Sequence, residues 1–326
     1  MYIFITQCFA SRLGGIESMM TNLALSLAIK KKVKVFADQN SVIQDEVFDL
    51  EHEEFLHIFR YGGIKFLRRR KKARDIKLFI ENNKIEGIFA DTWKSLELSI
   101  DKINFYKIPV ICLAHGNELL YENDKRKKRI LYTLNKIKNI VANSEFTSGL
   151  IRNLGIKNDN IYVVNPGAKD LNNIKSTNQY NFKGNPVLLT LARLEKRKGH
   201  KKVIDSIKIL EKEFPQIQYI IAGEGPEKQS ILQYAKKINI LDRINFIGNI
   251  NDEQKKEIFM KSTLMIMPTI DETSNRSIEG FGVVYIEAAM LGLCSVATNV
   301  GGVNDAIIVG VTGILLNPNE DLSVKL

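Results

Sequence analysis

A chain of 326 residues is long enough for two domains of ordinary size, each with its own core. With 44% hydrophobic and 26% charged residues it is not a disordered chain, and no apolar run approaches the roughly 18 residues of a membrane-spanning helix. A net charge of +10 asks for an anionic partner, whether nucleic acid, an anionic lipid surface or a phosphorylated ligand.

The first predicted strand covers residues 2–6, and no basic segment with a long apolar run precedes it, so no secretory leader is expected. In the following TQCFASRLGGIESMM, Gly14 and Gly15 open a helical pattern over 16–29. Their amides can approach a phosphate or a sugar closely, and a plain turn fits the same residues as well. No GxGxxG fingerprint is present, and no acid follows a second strand as that fingerprint requires. Further strands are predicted at 34–37, 87–90, 110–114, 139–142 and 161–164. Two basic runs, RRRKKAR at 68–74 and KRKKR at 125–129, lie between them and read either as anion-binding surface or as solvated helix faces. His115 follows the strand at 110–114, where a structural and a catalytic histidine are both at home.

The polar stretch AKDLNNIKSTNQYNFKGNP is the best domain boundary, giving an N-terminal domain at 1–170, a linker at 171–185 and a C-terminal domain at 186–326. A second series of strands is predicted at 187–191, 218–222, 244–247, 264–267, 295–298 and 313–316, with helices at 201–214 and 227–238. Near-continuously apolar strands that alternate with helices mean parallel sheets covered on both faces. The expected architecture is α/β: two Rossmann-like, doubly wound parallel-sheet domains facing a cleft, with ligands beyond the carboxyl ends of the strands.

Chemistry is therefore sought just after each strand. Arg193 leaves an apolar strand directly, and Lys198 stands before a helix start, an arrangement suited to a diphosphate. Arg197, Lys201 and Lys202 read as solvated helix residues. Gly223, Gly225 and Pro226 mark a strand-to-helix turn, and Gly248 opens a loop before a helix capped by Asn251 or Asp252. Glu279 precedes a helix predicted from near Phe281 to about Leu291, and Glu287 falls in its second turn. Eight residues of helix span about 12 Å, comparable to the distance from a hexose to the ribose of a nucleotide sugar. A solvated loop acid and a helix-face acid fit the same two residues as well. The amides of Phe281, Gly282 and Val283 would lie between them at the positive helix end.

Read together, EGFGVVYIEAAMLG with GGVNDAI and TGILL, and LARLEKRKG, AGEGPE, FIGNI and VANSEF in order, resemble the retaining, nucleotide-sugar-dependent glycosyltransferases of family 4, of the GT-B architecture. The resemblance covers nearly the whole chain. It implies transfer of a sugar from a nucleoside diphosphate to a hydroxyl of a glycan or lipid-linked acceptor, with retention, in cell-envelope or capsular polysaccharide synthesis. It implies that Arg193 and Lys198 hold the donor diphosphate, Glu287 the ribose and Glu279 the transferred sugar. Gly15 would close over that sugar, His115 would stand near the reacting carbon, and Ile250 would pack the nucleobase. No residue reads as a carboxylate nucleophile, and the resemblance implies same-face attack assisted by the leaving phosphate.

No Asp-x-Asp motif occurs and no histidine is paired with cysteine at ligand spacing, so neither a metal nor another cofactor is expected. Cys8, Cys112 and Cys294 read as reduced, buried thiols of a cytoplasmic protein. The basic runs fit the inner face of an anionic cell membrane, at about 1 kcal/mol for each residue near the surface. Nucleic acid is not expected, because few aromatics interleave those runs. Two departures stand out: VVNPGA replaces the family's asparagine-glycine-valine-aspartate turn, and the C-terminus is shorter than the resemblance leads one to expect. The alternative readings are a sugar-nucleotide epimerase of the same fold and a non-catalytic basic binding protein.

Overall fold

The apolar runs become the strands of two parallel sheets in the computed structural model, which describes residues 1–156 and 160–324. The chain divides into two units, Met1–Val164 and Asn165–Leu326. The segment 171–185 belongs to the second of these, where Leu171 is buried in the core and Tyr180 and Phe182 pack against it.

In the first unit the order is β1 (Tyr2–Thr6), α1 (Gly15–Ala28), β2 (Val33–Asp38), α2 (Val42–Glu51), β3 (Leu56–Tyr61), α3 (Lys65–Asn82), β4 (Gly87–Ala90), α4 (Trp93–Leu96), α5 (Ile100–Phe105), β5 (Val110–Ala114), α6 (Asp124–Leu134), β6 (Asn139–Ala142), α7 (Glu145–Asn153) and β7 (Ile161–Val163). The sheet runs β3-β2-β1-β4-β5-β6-β7, parallel throughout. One face carries α1 and α2 over Phe4, Val35 and Leu113, and the other carries α3 to α7 over Ile3, Ile5 and Cys112. Alternate strand residues thus face opposite cores, which is why both sets must be apolar.

Strand β3 has no counterpart among the predicted strands. It is an edge strand whose sequence LHIFRY interrupts the apolar run with His57 and Arg60, so the signature of a strand buried on both faces is missing. The expectation that no acid follows the second strand is also corrected: Asp38 ends β2, but Lys72 and Arg68 hold its two carboxylate oxygens at 2.6 and 3.0 Å. Of the three cysteines only Cys112 is buried, and Cys294 is exposed.

The second unit follows the same plan: β8 (Val187–Leu191), α8 (His200–Leu210), β9 (Gln218–Ala222), α9 (Lys228–Lys237), β10 (Ile244–Gly248), α10 (Asp252–Met260), β11 (Leu264–Met267), α11 (Val283–Met290), β12 (Ser295–Thr298) and β13 (Gly313–Leu316). Its sheet order is β10-β9-β8-β11-β12-β13. Helices α8 and α9 cover Leu188, Ile221 and Ile266 on one face, and α10 and α11 cover Leu189, Ile220 and Met267 on the other. Asn251 caps α10 through a capping box with Gln254. Ser144 caps α7 by accepting from the Thr147 amide, which gives the VANSEF stretch a structural role.

Candidate functional site

Each sheet reverses its strand order once, between β1 and β4 in the first unit and between β8 and β11 in the second. At such a point neighbouring loops leave in opposite directions and open a crevice beyond the strand ends.

In the first unit Asp91, just after β4, organises that crevice. Its Oδ2 accepts from Thr6 Oγ1, the Gln7 amide and the Cys8 amide at 3.0, 2.8 and 3.2 Å, and its Oδ1 accepts from Ser95 Oγ at 2.5 Å. The backbone carbonyl of Asp91 faces Nε2 of His115 at 3.0 Å, so that nitrogen carries the proton and donates. The His115 amide donates to Glu118 Oε1 at 2.7 Å, and the ring is buried. Gly15 is the first residue of α1 and is exposed, its amide at the positive end of a 14-residue helix.

In the second unit the loop after β8 is bound to the loop after β9 by backbone hydrogen bonds that continue the strand pairing. Ala192 donates to Ala222, Leu194 to Glu224 and Glu227 to Leu194, at 3.0, 3.0 and 3.1 Å. On the other side the Ile270 amide, beyond β11, donates to the Arg197 carbonyl at 2.7 Å. These bonds fix where Arg193, Arg197 and Lys198 stand.

Lys198 is buried, and its ammonium lies 2.5 Å from Glu279 Oε2. Arg197 donates to the same oxygen through one terminal nitrogen and to Glu195 through the rest of its guanidinium at 3.0 Å. Arg197 is therefore not a solvated helix residue. Helix α8 begins only at His200, and Arg197 sits in the 3-10 turn Lys196–Lys198 that precedes it, with 13% of its side chain exposed. Lys201 is exposed, and Lys202 donates to the Pro318 carbonyl at 2.9 Å. Burial alone would raise the Glu279 carboxyl, but the Lys198 and Arg197 charges hold it below the usual range. Burial lowers the Lys198 ammonium despite the opposing pull of Glu279.

Arg193 extends outward, 65% exposed, with Glu195 at 3.3 Å. Glu195 thus bridges Arg193 and Arg197. Neither Glu195 nor Arg197 was marked by sequence reasoning; the alternation of acid and base directly after a strand end was the available signal.

Glu279 precedes α11 by four residues, so only part of the stretch to Glu287 is helical and a full eight-residue helical rise does not separate the two acids. Gly282 stands at the helix start with φ 99°, a left-handed conformation that glycine adopts without strain. Beyond β12, Gly301 (φ 65°) lies so close to Glu279 that a Cβ there would meet its carbonyl oxygen at 2.2 Å, and the Gly302 amide donates to that oxygen at 2.8 Å. The glycine pair of GGVNDAI therefore holds the backbone of Glu279. Phe281 and Gly282 are buried, Val283 is half-buried, and the first amides of the helix have no acceptor within it. Glu287, in the second turn of α11, pairs with Lys255 of α10 at 2.7 Å. Ile250, before α10, packs partly buried against the same core. Among the described residues no group of three His, Cys, Asp or Glu is placed to hold a metal ion, and no helix is long and apolar enough to cross a membrane.

Two family models match the chain in succession: Glycosyltransferase Family 4 over residues 13–169 and Glycosyl transferases group 1 over residues 172–326. Among curated relatives, glycogen synthase of Mycobacterium tuberculosis is 24% identical over 243 residues, 72% of this chain and 56% of its own. The GDP-mannose-dependent alpha-(1-6)-phosphatidylinositol monomannoside mannosyltransferase of Mycolicibacterium smegmatis is 27% identical over 142 residues, 44% of this chain and 37% of its own. The chain thus spans little more than half, or less, of these relatives' length. Among solved structures, Anabaena HepE in complex with UDP and glucose superposes with a TM-score of 0.80 at 19% identity, covering 100% of this chain and 88% of that one, a likeness of fold.

Proposed function

Because the chain belongs to the group 1 glycosyltransferases, we propose that it moves a sugar from a nucleoside-diphosphate donor to an acceptor hydroxyl, with retention of anomeric configuration. The observation that carries this reading is the convergence of Lys198 and Arg197 on Glu279 at the strand-order reversal, directly ahead of α11. Cations and helix amides at that point favour the two negative charges of a departing diphosphate. A carboxylate held ionised between them accepts hydrogen bonds from sugar hydroxyls.

In this mechanism the bond from the anomeric carbon to the diphosphate breaks. The acceptor oxygen bonds to the same face, and its proton passes to the leaving phosphate oxygen. Arg193, Lys198 and the amides of Phe281, Gly282 and Val283 stabilise the charge that develops on the diphosphate. Glu279 orients the transferred sugar, Glu287 holds the ribose and Ile250 lies against the base. In the first unit, Gly15 and His115 are the candidates for sugar recognition. No metal is assigned a part.

The donor class is supported by the HepE complex with UDP and by the GDP-mannose-dependent relative. That relative's name also supports a lipid-linked acceptor; we further place the protein in the cytoplasm at the inner membrane face, in envelope or capsular polysaccharide synthesis. A thermal-shift screen against UDP, GDP, ADP, CMP and their sugar conjugates, with and without magnesium, tests the reading. Stabilisation by one diphosphate series, clearly diminished in Glu287→Ala and Arg193→Ala at the same ligand concentration, is the expected result. Absence of a shift with every nucleotide overturns it.

A further inference from the structure

The two basic runs of the first unit are separate in sequence, but the structure joins them. Glu97 accepts from Arg69 of α3 at 2.7 Å and from Arg129 of α6 at 2.5 and 2.8 Å, so both helices converge on one carboxylate on the same face of the sheet. Several of their charges are committed internally: Lys72 and Arg68 to Asp38, Arg69 and Arg129 to Glu97, and Arg126 to the Leu120 carbonyl. Arg74 pairs with Asp75 at 3.2 Å, and Lys65, Arg70 and Lys71 on α3 and Lys125 and Lys128 on α6 are exposed.

Beside these cations stand apolar side chains with no cover. Ile64, the residue capping α3, and Phe66 and Leu67 in its first turn are 73%, 58% and 60% exposed. The Arg70 guanidinium lies over the Phe66 ring, 4.0 Å from its centroid. From Tyr61 to Arg74 there is no acidic residue, so this turn lacks the alternating charge of an ordinary solvated helix face. Aliphatic and aromatic side chains at the tip with lysine and arginine behind them match the interface of an anionic bilayer, where acyl chains begin just below the phosphates.

We propose that the amino end of α3 inserts Ile64, Phe66 and Leu67 into an anionic lipid surface, with the exposed cations of α3 and α6 against the headgroups. The amino ends of α3 and α6 follow the carboxyl ends of β3 and β5, the same edge of the sheet that carries Gly15 and His115. An acceptor anchored by an acyl chain would therefore be presented along the edge where the first-unit site residues lie. This deepens the glycosyltransferase reading and rests on it for the nature of the acceptor.

The test is co-sedimentation with vesicles of phosphatidylcholine alone and of phosphatidylcholine with about one third phosphatidylglycerol. The wild-type protein is expected to bind the second and not the first. The Phe66→Ser/Leu67→Ser and Lys65→Glu/Lys71→Glu variants are each expected to lose about tenfold in binding. Phe66→Trp, in a chain whose single Trp93 is buried, is expected to shift its emission to the blue on anionic vesicles. Undiminished binding by both double variants, no blue shift, or equal binding to duplex DNA overturns the proposal. Thermal shifts with nucleotides, measured on the same variants, report separately on the donor site: an intact shift with lost vesicle binding supports the membrane surface. Absence of that shift in the wild-type protein is instead a failure of the glycosyltransferase reading.

Discussion

Lys198 Nζ lies 2.5 Å from Glu279 Oε2, a contact that bridges 81 residues of sequence and joins the loop after β8 to the residues ahead of α11. Arg197 shares that oxygen, so the carboxylate is held ionised by two cations at the place where the sheet order reverses. Removing either cation leaves a recessed charge partly uncompensated.

Arg197→Ala should therefore lower kcat/KM by about a hundredfold, near 3 kcal/mol, with most of the loss in kcat if Glu279 orients the sugar during transfer. Arg197→Lys should recover part of it. Steady-state kinetics with the donor found in the nucleotide screen decide the matter, and full activity in Arg197→Ala removes the residue from the site.

Glu195 sits between Arg193 and Arg197 at 3.3 and 3.0 Å, where a bound phosphate would compete with it. Glu195→Gln should release Arg193 and tighten nucleoside-diphosphate binding about threefold to tenfold, since the competing acid is lost. Calorimetry of the diphosphate and of the matching nucleoside separates the effect. A gain of equal size for the nucleoside, which lacks phosphates, would contradict it.

Glu287 pairs with Lys255, and its proposed ligand is the ribose. Glu287→Ala should cost about tenfold in affinity for the ribonucleotide and little for its 2′,3′-dideoxy analogue, so that the two converge. If both weaken in parallel, the acid supports the fold rather than the sugar.

His200 gives a pH dependence with a defined sign. Burial, reinforced by the Lys198 charge, pulls its imidazole down to about 4 from the ordinary 6.5. Between those values the unfolded chain takes up a proton that the folded one refuses, so folded-state stability falls as the pH falls. The contribution is fully present above about 6.5, is lost by about pH 4 and amounts to about 3 kcal/mol. Glu257 acts in a lower window. Burial would raise it, but Lys261, Thr177 and the Tyr180 and Gln179 amides hold it at about 2, so its contribution fades only below the ordinary 4.5. Urea unfolding at pH 5 and pH 7 should show a flatter dependence in His200→Gln than in the wild-type protein, and equal slopes would refute the assignment.

Gly301→Ala forces a side chain into a left-handed residue and against the Glu279 carbonyl oxygen at 2.2 Å. A loss of about 2 kcal/mol or more is expected, seen as a lowered Tm, together with reduced donor binding because Glu279 must shift. An unchanged Tm would show that the loop yields without cost.

Much of this protein was legible in its sequence. Strands buried on both faces are apolar along most of their length, so twelve runs announced two parallel sheets, and the residues following them supplied the candidate site. Arg193, Lys198, Glu279 and Glu287 could be picked out because each breaks an apolar pattern at a strand or helix end. Strand β3 could not, because an edge strand tolerates His57 and Arg60 and loses the signature. Tertiary structure alone decided which charges meet. The pairing of Arg197 with Glu279, of Lys255 with Glu287 and of both basic helices with Glu97 joins loops and helices distant in the chain. An ion pair is set by where strand order brings two chain segments together, and a charged residue carries no local mark of its partner. The sequence by itself therefore determined the layers and the strand edge at which the candidate site residues stand, while the folded arrangement decided which cations hold Glu279 and which stay exposed.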